Sequence, residues 1–407
     1  MITKGRFLII IVLLAIIFIL FRNSTGYSSE ERGVTDTKVK VGTIGDLTGP
    51  IATIWQAALQ ALRNYYKNVN EDGGIHGRKV VNIVEDDRYT IPMALSAFKK
   101  LIFRDQVLLL FAASGVGHTH AIVPLAGKNK VPMIAQTNDR KYFNPVKKYI
   151  FTALPFYEDQ LELIFEYIHN DLKIKKPRII LAYPDTAAGN ISRDLCKKLV
   201  KYYNVKKYSE TIISVGAGDF TSQVLSMKSS KPDVVIIHGY IGSTSALLRD
   251  AYKFRFKSNF FAVQYACIDD TVKLAGVAAQ GLLGTNGFCS WNDEGAGMIE
   301  VRRIANKYNP DTKLTNRNYL NGWLAAMLIH KALKNAGREL TSESVVRGFE
   351  KINNFDTEGI CGIVTYGPKD HKSIDYSRFY KADVKLKQFV AITGWRKPSF
   401  KDLARSK

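Results

Sequence analysis

The chain has 407 residues, 46% hydrophobic and 23% charged, with 58 Lys plus Arg against 37 Asp plus Glu and a formal net charge of +21. Such a length suits two domains or so, each able to bury its own core, and the composition excludes a disordered chain or a disulfide-dense mini-scaffold. The charge raises nucleic acid as a partner, but the bases are scattered in short pairs such as Lys147-Lys148 and Lys206-Lys207. Without a basic stripe interleaved with stacking aromatics, this is a solvated basic surface and no nucleic-acid partner is expected.

Lys4 and Arg6 precede residues 7–21, which carry no polar side chain, and the small residues Ser24 and Gly26 follow. A spanning helix takes about 20 apolar residues, so this shorter run reads as an export signal over residues 1–26, directing the chain to a periplasmic or extracytoplasmic location. Left uncleaved, the same run is an amino-terminal membrane anchor. No Cys lies near its end, which argues against a lipid-anchored form. Residues 27–37 are polar and aperiodic and read as a linker.

Strand and helix patterns then alternate. Strands are predicted at 39–44, 79–84, 107–111 and 132–135, and helices at 51–70, 91–104 and 118–129. A second series on the same rhythm has helices at 159–172, 190–203, 221–229, 243–254 and 270–275 with strands at 178–183, 209–213, 234–237 and 260–263. Helices at 319–336 and 341–351 and strands at 364–366 and 388–392 complete the chain. Alternating strands and helices specify doubly wound parallel sheets with right-handed crossovers. The fold class is therefore α/β with two lobes: 38–154 plus 286–363 form lobe one, 155–285 plus 364–396 form lobe two, and 397–407 is a basic tail.

Ligands of open α/β sheets bind beyond the carboxyl ends of the strands. There, Ala112-Ala113-Ser114-Gly115-Val116-Gly117-His118-Thr119 opens a helix with small and hydroxylated residues, suited to hold a carboxylate on backbone N–H groups and hydroxyls. The next strand ends in a second polar loop, Gln136-Thr137-Asn138-Asp139. Signatures of chemistry are missing: no Gly-x-x-x-x-Gly-Lys-Ser/Thr loop, no Gly-x-Ser-x-Gly elbow, no His-Glu-x-x-His helix. Asp86-Asp87 follows an early strand, a pair of carboxylates that could serve a metal or acid/base chemistry. His118 and His120 point to different helix faces and make no metal pair. Neither enzymatic activity, a cofactor nor a metal is expected. Four Cys (196, 267, 289, 361) allow three full pairings; Cys289 with Cys361 is the pairing anticipated.

The stretch Val41-Gly-Thr-Ile-Gly-Asp-Leu-Thr-Gly-Pro-Ile-Ala52, then Asn70-Glu-Asp-Gly-Gly-Ile-His-Gly-Arg-Lys79, Asp86-Asp87, Val131-Pro132-Met133-Ile134 and Ala278-Ala-Gln-Gly-Leu-Leu283 occur in that order. Together they resemble the leucine/isoleucine/valine-binding-protein-like group of periplasmic solute-binding proteins over roughly residues 38–396. The resemblance implies two lobes of type I periplasmic-binding-protein fold joined by three crossover segments. A small amino acid or related organic carboxylate is captured between them by hinge closure and handed to the membrane permease of an ABC transporter. It implies a monomer, and it makes Asp86-Asp87 structural. The alternative is a membrane-anchored ligand-sensing receptor built on the same cleft.

Carried over by the resemblance, Ala113, Ser114 and Gly115 receive the ligand carboxylate, and Asn138 and Asp139 meet the amino-acid head group. Tyr240, in His238-Gly239-Tyr240, faces the cleft from lobe two. Gln264 stands where an acid commonly pairs the ligand ammonium, and Phe288 or Trp291 closes over the side chain. Three departures bear on specificity. Gln264 is uncharged, Ala188-Gly189 stands where Tyr-Gly is common, and Trp55 replaces a small residue and supplies a compensating ring.

Overall fold

The computed structural model describes residues 31–399. The signal or anchor segment 1–26 and the tail beyond 399 lie outside the described residues. The described part of the linker is fastened rather than free: the Arg32 guanidinium donates to the carbonyls of Val107 (2.7 Å) and Asn129 (3.2 Å). Gly33, at φ +75°, lies so close to the chain at Val107–Leu108 that a Cβ there would meet Leu108 N at 2.5 Å.

The first sheet has the order β2-β1-β3-β4-β5, with β1 Lys38–Gly45, β2 Lys79–Asp86, β3 Leu109–Ala112, β4 Met133–Ala135 and β5 Ile150–Thr152. All four pairings are parallel. β3 and β4 are buried at every residue, as central strands covered by helices on both faces must be. The helices between them are α1 Ala52–Glu71, α2 Ile91–Lys99 and α3 Val116–Lys128. The second sheet runs β12-β11-β10-β9-β8-β6-β7. Its parallel part is β6 Arg178–Tyr183, β7 Lys207–Ile212, β8 Val234–Ile237, β9 Asn259–Ala262 and β10 Leu283–Asn286. β11 Arg378–Asp383 and β12 Gln388–Ala391 are added antiparallel, so the sheet is mostly rather than wholly parallel. Its helices are α4 Tyr157–Asn170, α5 Ala187–Tyr202, α6 Thr221–Ser229, α7 Ile241–Lys253 and α8 Asp269–Ala275.

The chain then returns. α9 Ala296–Tyr308, α10 Arg317–Ala336 and α11 Ser342–Glu350 share one hydrophobic core with α1. α1 and α10 nearly touch backbone to backbone, because Gly322 has no side chain: a Cβ there would lie 2.1 Å from the Ala58 carbonyl oxygen. Two expectations are corrected here. Residues 364–366 form no strand, only a single bridge from Val364 to Phe355. Val364, Tyr366 and Ile374 pack in the core of the first lobe, and Thr152 pairs with Lys372. The apolar run at 364–366 therefore fills a core rather than a ladder, and the chain rejoins the second sheet at β11. All four cysteines are free and buried, so the Cys289–Cys361 pairing is not made; the Cys289 N–H donates instead to the Ile360 carbonyl beside Cys361.

Candidate functional site

Helices that follow parallel strands begin at the same edge of the sheet, so both lobes present helix amino termini to the gap between them. A cavity lies there. From the first lobe it is lined by Ile51, Ile54 and Trp55 at the start of α1, Phe111 of β3, and Ser114, Gly115 and Val116 at the start of α3. Ala58, Gln136, Asn138 and Asn321 complete that wall, while Tyr157, Ala188, Tyr240 and Tyr265 face it from the second lobe. Trp55 packs against Phe111 with ring centroids 5.4 Å apart. It fits against β1 because Gly45 leaves the space, where a Cβ would sit 2.1 Å from the indole.

The lobes touch across this gap. The Tyr89 and Tyr240 hydroxyls are 3.2 Å apart. Arg88 and Tyr89 both have left-handed backbone, φ 48° and 56°, a strained turn that projects Tyr89 toward the second lobe. The two aspartates before it hold that turn. Asp86 accepts from Leu47 N (2.9 Å) and Arg88 N (3.0 Å), and Asp87 accepts from Tyr89 N (3.0 Å). With the lobes in contact the cavity is small and partly enclosed.

The nine residues expected at the site divide. Trp55, Ser114, Gly115, Asn138 and Tyr240 line the cavity; Ala113, Asp139, Gln264 and Phe288 do not. Ser114 is already engaged: its N–H (3.2 Å) and hydroxyl both donate to Asp87, which is fully buried. Burial pushes the Asp87 carboxyl above the ordinary range, against the pull of the Ser114 hydroxyl. The Asn138 side-chain amide donates to the Pro155 carbonyl at the crossover. Asp139 turns outward to His120 Nε2 (2.8 Å) and the N–H of Lys141 (3.0 Å). Burial would raise its carboxyl, but the His120 hydrogen bond and the neighbouring cations hold it below the usual value.

Gln264 is buried and exchanges two hydrogen bonds with Gln160: its N–H donates to Gln160 Oε1 (3.0 Å) and its Oε1 accepts from Gln160 Nε2 (3.2 Å). Its neighbour Tyr265 takes the place on the wall. Ala113 packs with Ile44 and Phe98 in the first-lobe core. Phe288 packs in the core shared by α1 and α10, its carbonyl accepting from the Tyr380 hydroxyl (2.8 Å). Among the lining residues missed, Asn321 left the clearest trace, a polar residue inside the apolar run Tyr319-Leu-Asn-Gly-Trp-Leu324. Its Nδ2 donates to Gln136 Oε1 at 2.8 Å. Tyr157 and Tyr265 had no signal of their own, each being one tyrosine among 20.

A model of periplasmic binding proteins matches residues 38–387 of the chain. The Leu/Ile/Val-binding protein homolog 3 of Brucella melitensis is 22% identical over 329 residues, spanning 81% of this chain and 87% of that protein. Among solved structures, a branched-chain amino acid ABC transporter protein from Thermus thermophilus with bound valine superposes with a TM-score of 0.83 at 21% identity, covering 90% of this chain and 98% of that one. A fatty acid ABC transporter substrate-binding protein from Thermomonospora curvata superposes with a TM-score of 0.80 at 20% identity, covering 93% and 96%. The motif order, the two mostly parallel sheets and the match across 38–387 agree, and the chain belongs to the periplasmic binding protein family, with its type I two-lobe fold.

Proposed function

We propose that this protein is the extracytoplasmic solute-binding component of an ABC importer, exported by its amino-terminal signal and acting as a monomer without chemistry of its own. The ligand is a small carboxylate-bearing solute, an amino acid or related organic acid. The lobes part, the solute docks against Trp55 and the start of α3, and Tyr240 closes on it from the second lobe. The closed form is then favoured by whatever contacts the solute makes to both walls, and that form is what the membrane permease receives. The observation that carries this reading is the cavity lined from both lobes at the helix amino termini and shut by the Tyr89–Tyr240 contact.

The test is a thermal-shift screen against amino acids, aromatic acids and short dicarboxylates. A solute that binds only the folded form adds about 2.7 kcal/mol of stability at one hundred times its Kd, a rise of several degrees that saturates with concentration. If no solute raises the melting temperature, the solute-binding reading is wrong.

A further inference from the structure

An α-amino acid brings two charges into a site, and each needs a partner once water is excluded. The cleft of this protein is built for one of them. None of the side chains lining the cavity is acidic. The five buried aspartates among the described residues are committed elsewhere. Asp46 accepts from the N–H groups of Gly49 and Ile51, Asp87 is held by Ser114 and Tyr89, Asp139 by His120 and Lys141, Asp159 by Arg140, Lys372 and the N–H of Phe156, and Asp269 by Arg317 and the N–H of Phe389. Gln264, at the position the resemblance gives to an ammonium partner, is uncharged and locked on Gln160.

The remaining field has the opposite sign. Five helices meet the cavity at their amino-terminal ends, through Ile51 of α1, Gly115 of α3, Tyr157 of α4, Ala188 of α5 and Tyr240 of α7. Each end carries about half a positive charge. Asp46 offsets the end of α1, and Glu158 and Asp159 in its first turn offset that of α4, whereas no side chain caps α3. A carboxylate is favoured in that field and an ammonium is repelled by it. The rest of the wall sets the apolar and aromatic Ile54, Trp55, Phe111, Val116 and Tyr265 beside the amides of Gln136, Asn138 and Asn321, two of which are paired with each other.

Resting on the solute-binding reading above, we infer that the cleft selects a monocarboxylic acid with an apolar body and no amino group, and discriminates against the α-amino acid of the same skeleton. The carboxylate meets the uncapped start of α3 rather than the Ser114 hydroxyl, which Asp87 already occupies.

Matched pairs test this by calorimetry on the full chain after dialysis to remove carried-over solute. The pairs are 4-methylpentanoate with leucine and 3-phenylpropanoate with phenylalanine, with 4-methylpentanamide as the neutral control. At least one acid is expected to bind about 100-fold more tightly than its amino acid, the ratio expected when a buried ammonium lacks a counter-charge. Asn321→Asp, which adds a carboxylate to the wall without changing its shape, is expected to reduce that preference at least about 10-fold. Equal or tighter binding of leucine or phenylalanine overturns the inference and leaves solute binding standing. Binding of the neutral amide alone also overturns it. Silence from every solute here and in the wider screen overturns the solute-binding reading with it.

Discussion

Replacing Tyr89 or Tyr240 by Phe removes the hydrogen bond that joins the two lobes over the cavity. The hydroxyls are 3.2 Å apart and Tyr240 is buried. In the open form both hydroxyls face water, so the bond contributes its net value to closure, about 0.5–1.5 kcal/mol. That corresponds to a change of about 2- to 12-fold in the ratio of closed to open protein. Each single variant also leaves one hydroxyl stranded in the closed form, whereas the double variant strands none. The double change should therefore be milder than the sum of the singles, by a coupling of about 1 kcal/mol. Spin labels on cysteines replacing Phe103 and Tyr252, which are 60% and 61% exposed on opposite lobes, report the interlobe distance. The four native cysteines are buried and escape labelling. Additive single effects, or a distance distribution identical in all four proteins, would refute the assignment of this contact as a latch.

Glu162, on α4, is 2% exposed and its Oε1 has no hydrogen-bond partner. Burial, then the neighbouring Asp159, pushes its carboxyl up to about 8. The folded form thus holds a proton that the unfolded chain releases above about pH 4.5, and stability falls as pH rises from there toward 8. Glu162→Gln should flatten that slope and add about 1–3 kcal/mol at pH 8; thermal unfolding of both proteins at pH 5 and pH 8 checks it, and an unchanged slope counts against it. Gly322→Ala drives a methyl group into the Ala58 carbonyl where α1 crosses α10 and should destabilise by about 1–3 kcal/mol. Gly218→Ala, with nothing within 4 Å of the new methyl, is the control that should leave the melting temperature unchanged.

Most of the architecture was written in local periodicity. The alternating patterns located most strands and helices of the parallel parts, because a central strand or a half-buried helix announces its own burial. The apolar stretch 364–366 misled, since three buried residues look alike whether they fill a ladder or a core. β5, β10, β11 and the helix α9 went unpredicted; β5 and β10 are strands of three and four residues whose identity comes from the neighbours they pair with.

The site divides along the same line. Polar loops at strand ends could be located from sequence, which brought out the stretches 112–119 and 136–139 that carry Ser114, Gly115 and Asn138; Trp55, inside a predicted helix, and Tyr240 came from the resemblance, and all five line the cavity. Which way a loop side chain turns is a different matter. Gln264 and Tyr265 are adjacent, and the partner Gln160, 104 positions earlier on another helix, decides that the amide turns into the core while the ring faces the cavity. Asp87 claims Ser114 across 27 positions, and Asn321 reaches the wall from a helix that returns after both sheets are nearly complete. The chain alone thus determined two α/β lobes and the sheet edge at which the cavity between them lies. Only the tertiary structure decided the charge of the cleft, because a carboxylate's availability depends on donors that folding brings to it from distant parts of the chain.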